Sequence, residues 1–201
     1  MAREAEQSQV AQSEADEQMI GLVLKASHFA AQKHKDQRRK GKDAAPYINH
    51  PIDLAQLLWH TAQVRDPIVI AAALLHDTVE DTDTTFDDIE REFGSNVKAV
   101  VAEVTDDKSL PKTVRKQKQI DHAPHLSDRA RLVKLADKIS NLKDILREPP
   151  AGWSVQRQYG YFQWAKAVVD PIRGCNSPLE SLFDEVYQQG VEHLGFHEHQ
   201  T

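Results

Sequence analysis

Four polar residues stand where polar residues are costly. His76 and Asp77 close an apolar run, Ala71-Ala72-Ala73-Leu74-Leu75, and Glu80 and Asp81 follow at once. His50 lies between Asn49 and Pro51, and the proline restricts its backbone. Asp137 interrupts the apolar face formed by Leu132, Val133, Leu135, Ala136 and Ile139. A histidine and a carboxylate carried together into an interior are unfavourable unless positive charge sits between them. A divalent metal is the simplest such charge. Two imidazoles and two carboxylates suit octahedral Mn²⁺ or Fe²⁺, with positions left for water, better than a closed tetrahedral zinc site. Such an ion makes hydroxide available near neutral pH. Glu80 and Asp81 stand just past the ligand pair, placed to orient or deprotonate the water. On a continuous helix, Glu80 projects from the face of His76 one turn later.

Each residue alone has a plainer role. A histidine at an element boundary is often structural, and Asp137 could pair with Lys134 or Lys138. His28, His34, His60, His122 and His125 read as surface or packing residues. His193, His197 and His199 resemble a metal-binding tract, but a terminal position favours a solvated extension.

The elements that must hold the four residues are helical. Ile20, Val23, Leu24, Ser27, Ala30 and Ala31 recur at helical spacing from about Asp16 to His34. A basic loop with Arg38, Arg39, Lys40 and Lys42 follows, then Pro46-Tyr47-Ile48-Asn49-His50-Pro51, with Pro51 starting a helix. Pro67 starts the helix that carries His76 and Asp77. Thr85-Phe86-Asp87-Asp88 reads as a capping box with Asp for Glu, and Gly94 stops that helix before another through Val97, Val100, Val101 and Val104. Lys112 to His122 forms a basic helix, Ser127 caps the helix of Asp137 and Asn141, and Pro149-Pro150 end it. Val155 to Val169 and Pro178 to Gln189 form the last two, the second opened by Ser177 and Pro178. No strand alternation appears, so the expected class is all-α, a single helical bundle. Residues 1–17 lack apolar periodicity and are expected to be a disordered tail, with the domain over 18–190 and an extension over 191–201.

Composition narrows the partners. At 201 residues, 40% hydrophobic and 28% charged, the chain suits one soluble domain. No apolar run approaches a membrane span, no signal segment opens the chain, and the lone Cys175 forms no intrachain disulfide, so a cytoplasmic location is expected. A net charge of −6 argues against a nucleic-acid polymer. Local cations at Arg38, Arg39 and Lys40, and again at Lys108, Lys112, Arg115, Lys116 and Lys118, suit a small polyanion, though charge runs also serve as solvated faces. A homodimer is allowed, but no exposed apolar stripe demands one.

His50, His76-Asp77 and Asp137 match, in order and type, the ligand pattern of HD-domain phosphohydrolases. The stretches around Arg38-Arg39-Lys40, Pro46 to Pro51, Ala72 to Asp81, Val104 to Lys108 and Val133 to Lys138 resemble the hydrolase domain of the RelA/SpoT group, in particular its small stand-alone alarmone hydrolases of the metazoan SpoT-homologue type. The resemblance implies an HD-domain helical bundle and manganese-dependent removal of 3′-pyrophosphate from guanosine tetra- or pentaphosphate, leaving GDP or GTP. It implies Mn²⁺ on His50, His76, Asp77 and Asp137, and water handled by Glu80 and Asp81. Arg39 and Lys40 would lie against the base or nearby phosphates, and Tyr47 would line the nucleotide pocket. Lys112, with Lys108 and Arg115, would meet the phosphates, Asn141 the ribose, and Tyr161 the nucleotide. Gly41 and Ala45 depart from the group's usual Asp and Thr, which touches base and phosphate recognition and not the metal set. Removal of the NADPH 2′-phosphate on the same site is the enzymatic alternative. A catalytically dead nucleotide-binding module is the non-enzymatic one, disfavoured because no ligand and neither acid is lost.

Overall fold

The computed structural model describes residues 2–41 and 43–196. Lys42, His197 and His199 lie outside them. Nine α-helices succeed one another among the described residues: α1 (Ala2–Lys33), α2 (Asn49–Gln56), α3 (Pro67–Leu75), α4 (Thr78–Asp81), α5 (Phe86–Val104), α6 (Lys112–His122), α7 (Asp128–Arg147), α8 (Val155–Val169) and α9 (Ser177–His193). The described backbone forms no sheet; one antiparallel bridge joins Arg38 to Pro46. The all-α class follows. No described helix is long and apolar enough to cross a membrane.

α3 sits at the centre. Val69 to Leu75 are all buried, which is why the segment is apolar without amphipathic periodicity. It packs against α1, α2, α5 and α7. Asp66 caps it through a hydrogen bond from the Ile68 N–H at 2.9 Å, with Pro67 in the first turn. α7 is the second interior element, packed on α2, α3, α5, α8 and α9. Ser127 caps it, its Oγ accepting from the Ala130 N–H at 3.3 Å.

Several boundaries differ from the sequence expectation. The helix carrying His76 does not run on through Glu80: α3 ends at Leu75, and Asp77, at φ −99° and ψ −2°, turns the chain before α4. Simple one-turn spacing therefore does not relate His76 to Glu80. Pro51 is the third residue of α2, not its first. Ser177 is the first residue of α9 and Asn176 is the cap, its Oδ1 accepting from Leu179 N–H at 3.1 Å; an amide carbonyl serves as well there as a hydroxyl. The capping box of Thr85 and Asp88 forms in both directions, at 3.1 and 3.0 Å. Gly94, at φ 83° and ψ 166°, breaks α5 where a stop is expected. α1 is helical from Ala2, over residues expected to be a tail. Residues 2–16 hold no Gly or Pro and are rich in Ala, Glu and Gln, so helix propensity takes over where apolar periodicity is missing.

The loop between α1 and α2 is pinned to the centre. The Arg39 N–H donates to Ala45 O at 2.9 Å and the Tyr47 N–H to Gln37 O at 3.1 Å. Gln37 Nε2 donates to Asp81 O at 2.7 Å, tying the loop to α4. Thus the basic loop is held over the end of α3.

Candidate active site

Two helices and one turn converge on the four chemistry-bearing residues. α2 supplies His50, the turn after α3 supplies His76 and Asp77, and α7 supplies Asp137. His50 is 2% exposed and His76 4%. Ligand atoms of His50, His76 and Asp137 all lie within 4.8 Å of one another. Asp77 Oδ2 lies 2.9 Å from His76 Nε2 and 4.0 Å from His50 Nε2. Asp137 Oδ1 is 3.3 Å from His50 Nε2 and 4.0 Å from His76 Nε2. Two carboxylate oxygens and two ring nitrogens therefore face one small volume.

The surroundings orient these groups as a metal requires. His76 Nδ1 lies 2.8 Å from Ala73 O, which can only accept, so Nδ1 carries the proton in the neutral ring. Nε2 is buried and makes no well-aligned hydrogen bond; it faces Asp77 Oδ2 at 2.9 Å, a pair that a cation would bridge. His50 Nδ1 pairs with Ser140 Oγ at 3.1 Å, again leaving Nε2 toward the carboxylates. The Tyr47 hydroxyl donates to Asp77 Oδ2. Lys138 Nζ donates to Asp137 Oδ2 at 2.9 Å, and Asn141 Nδ2 donates to Asp137 Oδ1 at 2.6 Å. The residues present fit a divalent cation with mixed nitrogen and oxygen ligands.

Electrostatics agree. Burial works against the charge of Asp77, yet His76 and His50 hold its carboxyl well below the usual range. Burial likewise opposes the charge of Asp137, and Lys138, His50 and His76 outweigh it. Burial, with Arg39 and His76 adding to it, keeps His50 below its ordinary value. Glu80 behaves oppositely: burial, then the charges of Asp77 and Asp106, push it up to about 7. A carboxyl poised near neutrality can take and return a proton at working pH.

Above the quartet opens a cleft of about 470 Å³. Asp77, Glu80 and Asp81 lie on its floor. All eight expected contact residues line it: Arg39, Lys40, Tyr47, Lys108, Lys112, Arg115, Asn141 and Tyr161. Lys108 forms an ion pair with Asp81, and Arg115 Nη1 lies 3.4 Å from Glu80 Oε1. The two acids next to the quartet are thus each faced by a cation.

The cleft also contains residues that spacing and resemblance did not assign to the site. Trp153, Trp164 and Asp144 line it, together with Lys116, which stands in the sequence only as one of a run of cations. Lys112 Nζ stands 5.7 Å from the Trp153 ring centre, and Lys116 Nζ 4.5 Å from that of Trp164. Burial and the neighbouring Lys112 push Lys116 down to about 8. Helical spacing carries a signal for some of these. Lys116 is one turn from Lys112 on α6, and Asp144 is two turns from Asp137 on α7. The cleft offers a cation-studded wall, flat aromatic faces and a carboxylate floor, which together suit a phosphorylated ligand with a planar base.

Comparison with known proteins agrees with this geometry. The HD domain family matches residues 26–159. Guanosine-3′,5′-bis(diphosphate) 3′-pyrophosphohydrolase MESH1 of Xenopus tropicalis is 56% identical over 171 residues, 85% of this chain and 96% of that one. The Homo sapiens protein of the same name is 53% identical over 167 residues, 83% of this chain and 93% of that one. A solved structure of a metazoan ortholog of SpoT, described as hydrolysing ppGpp and acting in starvation responses, superposes with a TM-score of 0.82 at 48% identity, over 84% of this chain and 94% of that one. With the match spanning the interior helices and the whole quartet, this chain belongs to the HD domain family.

Proposed function

We propose that this protein is a divalent-cation-dependent guanosine-3′,5′-bis(diphosphate) 3′-pyrophosphohydrolase, that Mn²⁺ is its metal, and that it works in the cytoplasm as one domain over residues 18–190. The observation that carries the proposal is the continuity of site and cleft. Asp77 touches both buried histidines and also forms part of the floor of the cation-lined cleft. The names of the MESH1 relatives support the substrate.

His50, His76, Asp77 and Asp137 would hold the ion. When bound there, it supplies Lewis-acid charge and acidifies water at neutral pH. The chain's own residues do the rest. Lys108, Lys112 and Arg115 neutralise the diphosphate, whose charge would otherwise repel the acidic floor. Arg39, Lys40, Tyr47 and Tyr161 hold the base end, and Asn141 the ribose, fixing the 3′ phosphorus over the floor. Glu80 takes a proton from the attacking water, and Asp81 orients that water. The water oxygen bonds to the phosphorus next to the ribose 3′ oxygen, and the bond from phosphorus to that oxygen breaks. The 3′ oxygen receives a proton, leaving GDP or GTP, and pyrophosphate departs. In-line displacement needs positioning and charge neutralisation more than covalent chemistry.

The test is a side-by-side assay of the purified protein with Mn²⁺, offering guanosine 3′,5′-bis(diphosphate) and NADPH separately. Conversion of the first to GDP and pyrophosphate, faster than any phosphate release from NADPH, is expected. Faster turnover of NADPH would overturn the substrate assignment, and inertness toward both would overturn the enzymatic one.

A further inference from the structure

Asp144 lies on α7 three residues beyond Asn141 and seven beyond Asp137, on the same side of the helix. Its Oδ2 accepts from Arg39 Nε at 3.0 Å and from Arg39 Nη2 at 2.5 Å. Arg39 Nη2 also donates to Asn141 Oδ1 at 3.1 Å. The other end of the same amide donates to Asp137 Oδ1 at 2.6 Å. That oxygen is the one facing His50 Nε2 at 3.3 Å and His76 Nε2 at 4.0 Å. Three contacts therefore lead from Asp144 to an oxygen of the candidate metal site. A second branch leaves Arg39 toward Tyr47, whose ring centre is 5.6 Å from the guanidinium carbon and whose hydroxyl donates to Asp77.

We infer that Asp144 is a positioning residue that anchors Arg39 and keeps its guanidinium from competing for the metal-ligating carboxylate of Asp137. The inference rests on the metal reading of the quartet and not on the identity of the substrate.

The physical reason is the donor count of a guanidinium in a sheltered place. The Arg39 side chain is 20% exposed and Asp144 22%, so water satisfies neither fully. Arg39 has five N–H donors in a rigid fork and no way to discharge. Asp144 is its dominant favourable partner, with Tyr47 and Asp137 contributing at longer range. Remove the Asp144 charge and the next acceptors are the Asn141 carbonyl and, behind it, Asp137. A guanidinium turned onto Asp137 would occupy the oxygen that a cation needs and add a positive charge beside it. An ordinary surface ion pair would have no such reach. What sets this pair apart is the Asn141 amide, whose two ends join Arg39 to Asp137.

The test uses Mn²⁺ alone on metal-stripped protein, with free Mn²⁺ counted by electron paramagnetic resonance and helicity followed by circular dichroism. Asp144→Asn should raise the Mn²⁺ dissociation constant by about tenfold or more, the range for residues that orient metal ligands, with helicity unchanged. Because Asp144 acts through Arg39, adding Arg39→Gln to Asp144→Asn should restore most of the lost affinity. Unchanged affinity in Asp144→Asn overturns the inference. Equal weakness in the double variant also overturns it, by showing that Asp144 acts on the site without Arg39. If Asp144→Asn loses helicity, Asp144→Ser is titrated with the same expectation and the same overturning result. Failure of the unsubstituted protein to bind Mn²⁺ overturns the metal reading itself, and so is told apart from failure of the positioning role.

Discussion

Glu80 and His76 are the two residues whose charge the site sets against habit. Glu80 has an ordinary value of 4.5 and is pushed up to about 7 by burial and by Asp77 and Asp106. A carboxyl whose folded value is raised destabilises the fold once it ionises. The penalty is absent below the unfolded value of 4.5, grows as pH rises from there to about 7, and is constant above. Glu80→Gln should therefore stabilise the metal-free protein at about pH 8 by roughly 1 kcal/mol, a figure reduced for the group's partial exposure. The gain should shrink toward zero near pH 5. The same variant should lose about 10²-fold in turnover, because the proton acceptor is gone. Thermal melts at the two pH values and a rate assay check both halves. Equal melting temperatures at pH 8 would show that Glu80 is not strained.

His76 makes the complementary prediction. Burial opposes its charge, but Asp77 and Asp137 outweigh burial and push it up to about 9 in the metal-free protein. Near pH 7.5 the ring then carries a second proton, and a divalent cation must displace it from Nε2. Cation binding should release about one proton, and affinity should weaken as pH falls. Titration calorimetry in buffers of different ionisation enthalpy reads the proton directly. An enthalpy independent of buffer would contradict the ligand role of His76.

Helices place these residues, and their packing sets which changes the site survives. α9 approaches α8 through Gly190: a Cβ there would lie 1.9 Å from Phe162 Cε1, and Phe162 is fully buried. Gly190→Ala should cost about 1–3 kcal/mol by forcing Phe162 off its position, read as a lower urea midpoint. An unchanged midpoint would mean that α8 and α9 pack more loosely than described. Much at this scale was legible beforehand because local chemistry fixes it. Pro67, Thr85 with Asp88, and Ser127 each announce a helix start, and the break at Gly94 is written in the glycine; the Asp66 cap before Pro67 was not picked out. The turn at Asp77 was not legible, since Thr78-Val79-Glu80 is compatible with continued helix, whereas in the fold His76 Nδ1 pairs with Ala73 O and Thr78 Oγ1 donates to Leu75 O where α3 ends. The first half of α1 was missed for the opposite reason: propensity without periodicity makes a helix that a core-seeking pattern does not see.

At the scale of the whole molecule, charge is divided. The chain carries a net −6, yet eight cations gather on one cleft: Arg38, Arg39, Lys40, Lys108, Lys112, Arg115, Lys116 and Arg147. The candidate quartet stood out in the sequence because polar residues inside apolar runs are anomalous, and the fold brings the four together. The aromatic and acidic supports did not stand out. Trp153 and Trp164 look like core residues until α6 is seen to stand beside them, and Asp144 looks like one charge on a charged helix face until Arg39 arrives from a distant loop. α6 itself fully buries none of its residues, with Ile120 partly buried against the core, and its Lys112, Arg115 and Lys116 line the cleft. The central claim is that this quartet and this cleft act together as a metal-dependent pyrophosphohydrolase. It is tested most directly by pyrophosphate release from guanosine 3′,5′-bis(diphosphate), with protein stripped of metal and then titrated with Mn²⁺. The account predicts no release from stripped protein, saturable recovery on addition of Mn²⁺, and no recovery in Asp77→Asn at the same concentrations. Release by stripped protein, or full recovery in Asp77→Asn, would contradict it.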